Sequence, residues 1–131
     1  MKLLLDTHIW LWSLLEPERL TRRVRRALVD SNNELWVSPV STWEVLVLCD
    51  KGRVMLGRDP STWISTTLAS VPMKEAPLTH EVALATASVS LPHRDPADRF
   101  LVATAKVYGL TLVTSDTDLI GSKSCQVLAN R

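Results

Sequence analysis

The chain has 131 residues, of which 46% are hydrophobic, and a formal net charge of +1 at pH 7. That length and apolar content fit a single domain over residues 1–131 with a core of its own, undivided by any linker or low-complexity run. The near-neutral balance gives no global reason to bind nucleic acid, so any such contact must rest on local clusters.

In chain order, "MKLLLD" is basic and then apolar, but Asp6 interrupts it after three leucines, too soon for a secretion signal or a membrane span. The expected compartment is the cytoplasm, with no membrane partner. "KLLLD" reads as a buried strand and "THIWLWSLL" as the helix after it. "TRRVRRALVDS" is a second helical pattern. Its Arg22, Arg23, Arg25 and Arg26, with Arg19 just ahead, form the strongest local positive charge, a face suited to solvent, an RNA backbone or an acidic partner. "ELWVS" is a strand, "SPVSTWEVLVLCDKG" and "DPSTWISTTLAS" are helices, "PMKEAP" is a weaker strand signal and "THEVALATASV" is another helix. "DPADRFLVATAKVYG" then gives a helix with apolar residues around its circumference, and "LTLVTS" and "CQVLA" close the series as strands. Trp10, Trp12, Trp36, Trp43 and Trp63 all lie in apolar patterns, which suits core or subunit-interface packing better than base stacking. Cys49 and Cys125 show no CxxC or zinc spacing and read as reduced thiols.

Apolar strands separated by helices imply a parallel sheet covered on both faces, and such a sheet binds ligands beyond the carboxyl ends of its strands. Asp6 ends the first strand, Glu44 is placed in the first turn of the helix after "ELWVS", and Asp116 follows "LTLVTS". Asp98 joins them if its buried helix points its N-terminus inward. Each acid also has a plain capping reading: Ser41 to Glu44, Asp95 to Asp98 and Ser115 to Asp118 all have capping-box spacing. Asp6 resists that reading best, because an acid closing a buried strand is costly unless it is paired or bound to metal. Four acids on one rim would repel one another, and a divalent cation would offset that charge. Oxygen ligands without a His or Cys cluster point to Mg²⁺ or Mn²⁺, and ions held in this way commonly serve phosphodiester hydrolysis.

"LLLDTHIWLW", "VSPVSTWEV", "HRDPADRFLVATA" and "LTLVTSDTDL", in that order over almost the whole chain, resemble the motifs of the PIN-domain family, and more narrowly the VapC-like toxins of type II toxin–antitoxin systems. The resemblance implies a three-layer α/β/α sandwich with a central, mostly parallel sheet. It also implies Mg²⁺- or Mn²⁺-dependent ribonuclease activity on an RNA substrate, homodimerisation, and inhibition by a cognate antitoxin protein. By position the family's acidic quartet falls on Asp6, Glu44, Asp98 and Asp116. Two positions depart from the pattern: Leu48 stands where close relatives often carry Lys, with Lys51 on nearly the same helical face, and Ala97 replaces a bulky aromatic.

Around this quartet, Asp95 is read as a cap and Asp118 as a capping partner or an outer acid. Thr7, Thr114 and Ser115 are candidates to orient the site, His8 is read as packing locally, and His93 and Arg94 are placed in a solvated loop. The expectation is therefore a metal-dependent endoribonuclease. The alternative is a catalytically silent PIN-like scaffold whose acids serve only as caps. A phosphatase of the haloacid dehalogenase type fits less well, since its opening motif would want Asp where His8 stands.

Overall fold

The computed structural model describes all 131 residues. Strand β1 (Lys2–Leu5) leads into α1 (Thr7–Leu15), a 3₁₀ turn and α2 (Arg22–Val29); β2 (Glu34–Val37) leads into α3 (Pro39–Asp50) and α4 (Pro60–Ser70). Strand β3 (Lys74–Glu75) precedes α5 (His80–Ala85), a second 3₁₀ turn and α6 (Pro96–Tyr108). β4 (Thr111–Thr114), α7 (Thr117–Ile120) and β5 (Gln126–Ala129) complete the chain. All the expected strands form, including the short one in "PMKEAP". The four-residue α7 is the one helix absent from the expected patterns.

The sheet is wholly parallel, in the order β3-β2-β1-β4-β5. Because side chains alternate across a strand, the "LLL" of β1 serves two cores at once. Leu4, with Leu112 of β4, packs under α5, α6 and α7 against Val82, Leu101, Val102 and Leu119. Leu3 and Leu5, with Val113, face the opposite layer of Ile9 and Trp10 of α1, Val24 of α2, Val45 of α3 and Ile64 of α4. The result is the expected α/β/α sandwich. Leu3, Leu4 and Leu5 are at most 1% exposed, and each such burial contributes roughly 1.5–3 kcal/mol. Helix α6 is stopped by Gly109, whose φ of 64° places it in the left-handed region that glycine tolerates, and Leu110 then enters β4. No helix is long and apolar enough to cross a membrane.

Chain order turns at β1 and β4. From β1 the sheet grows through β2 to β3 on one side, and on the other side it runs through β4 to β5. The carboxyl ends of β1 and β4 thus flank the crevice where a doubly wound sheet receives its ligand.

Candidate metal centre

Asp6 leaves β1 and occupies the N-cap position of α1, yet it makes no side-chain cap hydrogen bond. Its Oδ2 instead accepts the Thr114 hydroxyl at 2.7 Å, across the crevice at the end of β4. Thr114 is itself buried, and its Oγ1 accepts the Asp116 backbone N–H at 3.0 Å. One hydroxyl therefore ties the first and last acids of the quartet together. Asp116 caps α7 through the Asp118 N–H at 2.8 Å, so the expected Ser115–Asp118 capping box does not form.

Glu44 lies one turn further into its helix than the sequence suggests. Ser38 is the cap of α3, accepting the Val40 N–H, and Pro39 takes the first helical position. Ser41 is inside the helix and buried, and no Ser41–Glu44 capping box exists. The displacement is useful geometrically. It lets the Thr7 hydroxyl of α1 donate to Glu44 Oε1 and lie 3.0 Å from Ser41 Oγ, which brings α3 against the start of α1.

At α6 the cap is Asp95, which accepts the Ala97 N–H at 3.0 Å, while the Asp95 N–H goes to His93 Nδ1 at 3.1 Å rather than to Asp98. Asp98 is thus released from capping, and its residue is 9% exposed. His93 lies in the loop before α6 as the sequence suggests, but it is half-buried rather than solvated: its Nε2 lies 3.4 Å from Asp98 Oδ2 and 3.7 Å from Asp118 Oδ2. Ligand atoms of His93, Asp98 and Asp116 all fall within 4.8 Å of one another. Asp6 and Glu44 stand outside that tightest set but act on it electrostatically, since both raise the pKa of Asp98.

No lysine or arginine pairs with any of the four acids; the pairs made by such residues, Arg19–Glu16 and Lys74–Glu34, lie elsewhere. Burial, followed by the charges of Asp95, Asp6, Asp116 and Glu44, pushes the Asp98 carboxyl up to about 7. Burial also raises Asp6, against the opposing Thr114 hydrogen bond, and raises Glu44, against that of Thr7. Charged forms are therefore penalised where four carboxylates meet. A hard divalent cation relieves that penalty, and the oxygen donor set fits one.

Other candidates fall away from the rim or gain a different role. Lys51 is exposed at the end of α3 and pairs with no acid, and Arg94 is exposed. His8 packs at 5.7 Å on Trp12, and Arg19 covers the same indole at 4.2 Å. Arg23 and Arg26 border a depression formed with Met1, Thr111 and Gln126, at the strand starts and so opposite the acids. Ala97, in the first turn of α6, is buried in the core, where its small side chain is accommodated. Trp10 is core, whereas Trp43 is 56% exposed. One contributor has no signal in the sequence: Arg99 of α6 donates to the Thr86 and Val89 carbonyls at 3.3 and 2.8 Å, fastening the segment that leads to His93.

The family model of the PIN domain matches residues 3–121. The chain is 36% identical over 119 residues to Ribonuclease VapC22 of Mycobacterium tuberculosis, covering 88% of each chain. Among solved structures, VapBC2 of Rickettsia felis bound to a promoter DNA fragment shares the fold with a TM-score of 0.71 at 13% identity, covering 98% of both chains. DNA-bound VapBC of Salmonella typhimurium does so at 0.69 and 12% identity, covering 100% of this chain and 99% of that one. The chain belongs to the PIN-domain family and, within it, to the VapC-like group.

Proposed function

We propose that this chain is a metal-dependent endoribonuclease that hydrolyses RNA phosphodiester bonds as the toxin of a type II toxin–antitoxin pair, with Mg²⁺ or Mn²⁺ held by Asp6, Glu44, Asp98 and Asp116. The observation that carries the reading is the convergence of four carboxylates from separate segments at the β1–β4 crevice without a lysine or arginine to balance them. Similarity to a curated ribonuclease supports RNA as substrate, and likeness to toxin–antitoxin complexes supports a protein antitoxin as partner.

When bound, the divalent ion supplies Lewis-acid polarisation of the phosphodiester and a water of lowered pKa. The residues of the chain supply position. Thr114 fixes Asp6 and the backbone of Asp116 from one side, and Thr7 fixes Glu44 from the other. In the metal-free chain, burial and the neighbouring acids push the Asp98 carboxyl up to about 7, so it gives up its proton around neutral pH as the ion binds. Homodimerisation is part of the same proposal. Trp43 and Leu46 sit one turn apart on α3, 56% and 37% exposed, and a second copy would bury such side chains.

The test is cleavage of mixed RNAs by purified protein with Mg²⁺, with Mn²⁺ and with EDTA. Cleavage with metal that stops in EDTA is the expected result. RNA binding without cleavage under every condition would replace this reading with the silent scaffold.

A further inference from the structure

We infer that His93 is a positioning residue of this centre: its Nε2–H edge faces Asp98 and orients that carboxylate beside the ion, and the imidazole is not itself a ligand. The inference rests on the metal-centre reading above and adds a residue to it.

Protonation geometry carries the argument. His93 Nδ1 accepts the Asp95 backbone N–H at 3.1 Å. A ring nitrogen that accepts a hydrogen bond has no proton, so the neutral imidazole carries its proton on Nε2. That nitrogen faces Asp98 Oδ2 at 3.4 Å, a long contact, while Asp118 Oδ2 at 3.7 Å is outside hydrogen-bond reach and acts on it only through its charge. A protonated ring nitrogen has no lone pair to give a cation. Proximity alone would group His93 with Asp98 and Asp116 as ligands, but the hydrogen bond on its far side makes it a donor.

The ring is also held in place by the surrounding chain. Arg99 reaches back from α6 to the Thr86 and Val89 carbonyls, and the Ser90 N–H meets Ser124 Oγ at 3.4 Å. The segment entering α6 is thereby secured to α6 itself and to the loop before β5, and Asp95, two residues after His93, caps the helix. Carboxylates that bind metal are oriented by such outer partners, whose loss costs about 10- to 100-fold in affinity.

The experiment is calorimetric titration with Mn²⁺ alone of the full-length protein and of its His93→Ala and His93→Gln variants. Gln keeps an N–H donor near the position of Nε2 but has no imidazole nitrogen. His93→Ala is expected to bind Mn²⁺ about 10- to 100-fold more weakly, and His93→Gln to recover to within about 3-fold of the parent. Equal melting temperatures in EDTA assign the loss to the site rather than to the fold. Parent-like Mn²⁺ affinity in His93→Ala overturns the inference. So does a His93→Gln as weak as His93→Ala, which would make the imidazole nitrogen a ligand. A parent that binds no Mn²⁺ overturns the metal centre itself, and that outcome is distinct from a parent that binds and variants that match it.

Discussion

Replacing Asp98 with Asn removes a charge while keeping the shape, so its consequence reads the crowding of the acids directly. The Asp98 carboxyl is raised from 3.8 to about 7 by burial and by its acidic neighbours. In the unfolded chain it titrates near 3.9, so between about pH 4 and pH 7 the native state keeps a proton that the unfolded state has lost. Metal-free stability therefore falls as pH rises through that window and is level above it. At about 1.4 kcal/mol per pH unit, the ceiling on the loss is about 4 kcal/mol, and sharing of protons among the coupled acids brings the working figure to about 2 kcal/mol. Asn carries no such penalty. In EDTA at pH 8.5, Asp98→Asn should melt about 6–8 °C above the parent, at roughly 3–4 °C per kcal/mol, and near pH 4 the gap should close. Saturating Mn²⁺ should reverse the order, because the parent gains about 2.7 kcal/mol at one hundred times Kd and the variant gains little. Thermal melts at both pH values, with EDTA and with Mn²⁺, provide the comparison. A variant that melts below the parent in EDTA at pH 8.5, with an unchanged Mn²⁺ shift, would refute the reasoning and return Asp98 to a helix-terminal role.

Mn²⁺ affinity should strengthen as pH rises from 5.5 to 8, since Asp98, Asp6 and Glu44 all hold protons more tightly than ordinary carboxylates; calorimetry in buffers of different ionisation enthalpy should show proton release at pH 6.5 that vanishes at pH 9. Thr114→Val keeps the shape but deprives Asp6 of its donor and the Asp116 N–H of its acceptor, which should cost about 1–3 kcal/mol by denaturant melt as well as weaken Mn²⁺ binding. Leu4→Ala opens a cavity under α6 and should cost about 2–5 kcal/mol, while the Mn²⁺ shift of whatever remains folded stays intact. Light scattering should show a dimer that Trp43→Glu together with Leu46→Glu converts to monomer; parent-like mass in the double variant would move the interface off α3.

The layers of this fold were legible because β1 and β4 carry unbroken apolar runs and α6 is apolar around its circumference, patterns that only a doubly covered sheet satisfies. Asp6 was legible for the same reason: an acid closing such a strand has few bland explanations. The capping boxes misled because spacing alone does not make one: Ser38-Pro39, not Ser41, sets the start of α3 by cap and fixed φ, and Asp95, the cap as read, gives its backbone N–H to His93 rather than to Asp98. His93 was illegible for a different reason. Nothing local marks it, and its place beside Asp98 depends on Arg99 drawing together carbonyls 10 and 13 residues upstream, a tertiary contact with no periodic signature. Arg23 and Arg26 show the converse, a strong local charge that the fold turns toward the rim opposite the acids.

The central claim is that Asp6, Glu44, Asp98 and Asp116 together hold one divalent site. Crystals of the protein soaked in Mn²⁺ and measured at the manganese absorption edge test it most directly. An anomalous peak within about 2.5 Å of Asp98 and Asp116 oxygens, with Asp6 and Glu44 reaching it directly or through one water, is the predicted result. Occupied manganese elsewhere on the surface, with no peak in the β1–β4 crevice at any concentration that preserves the crystal, would contradict it.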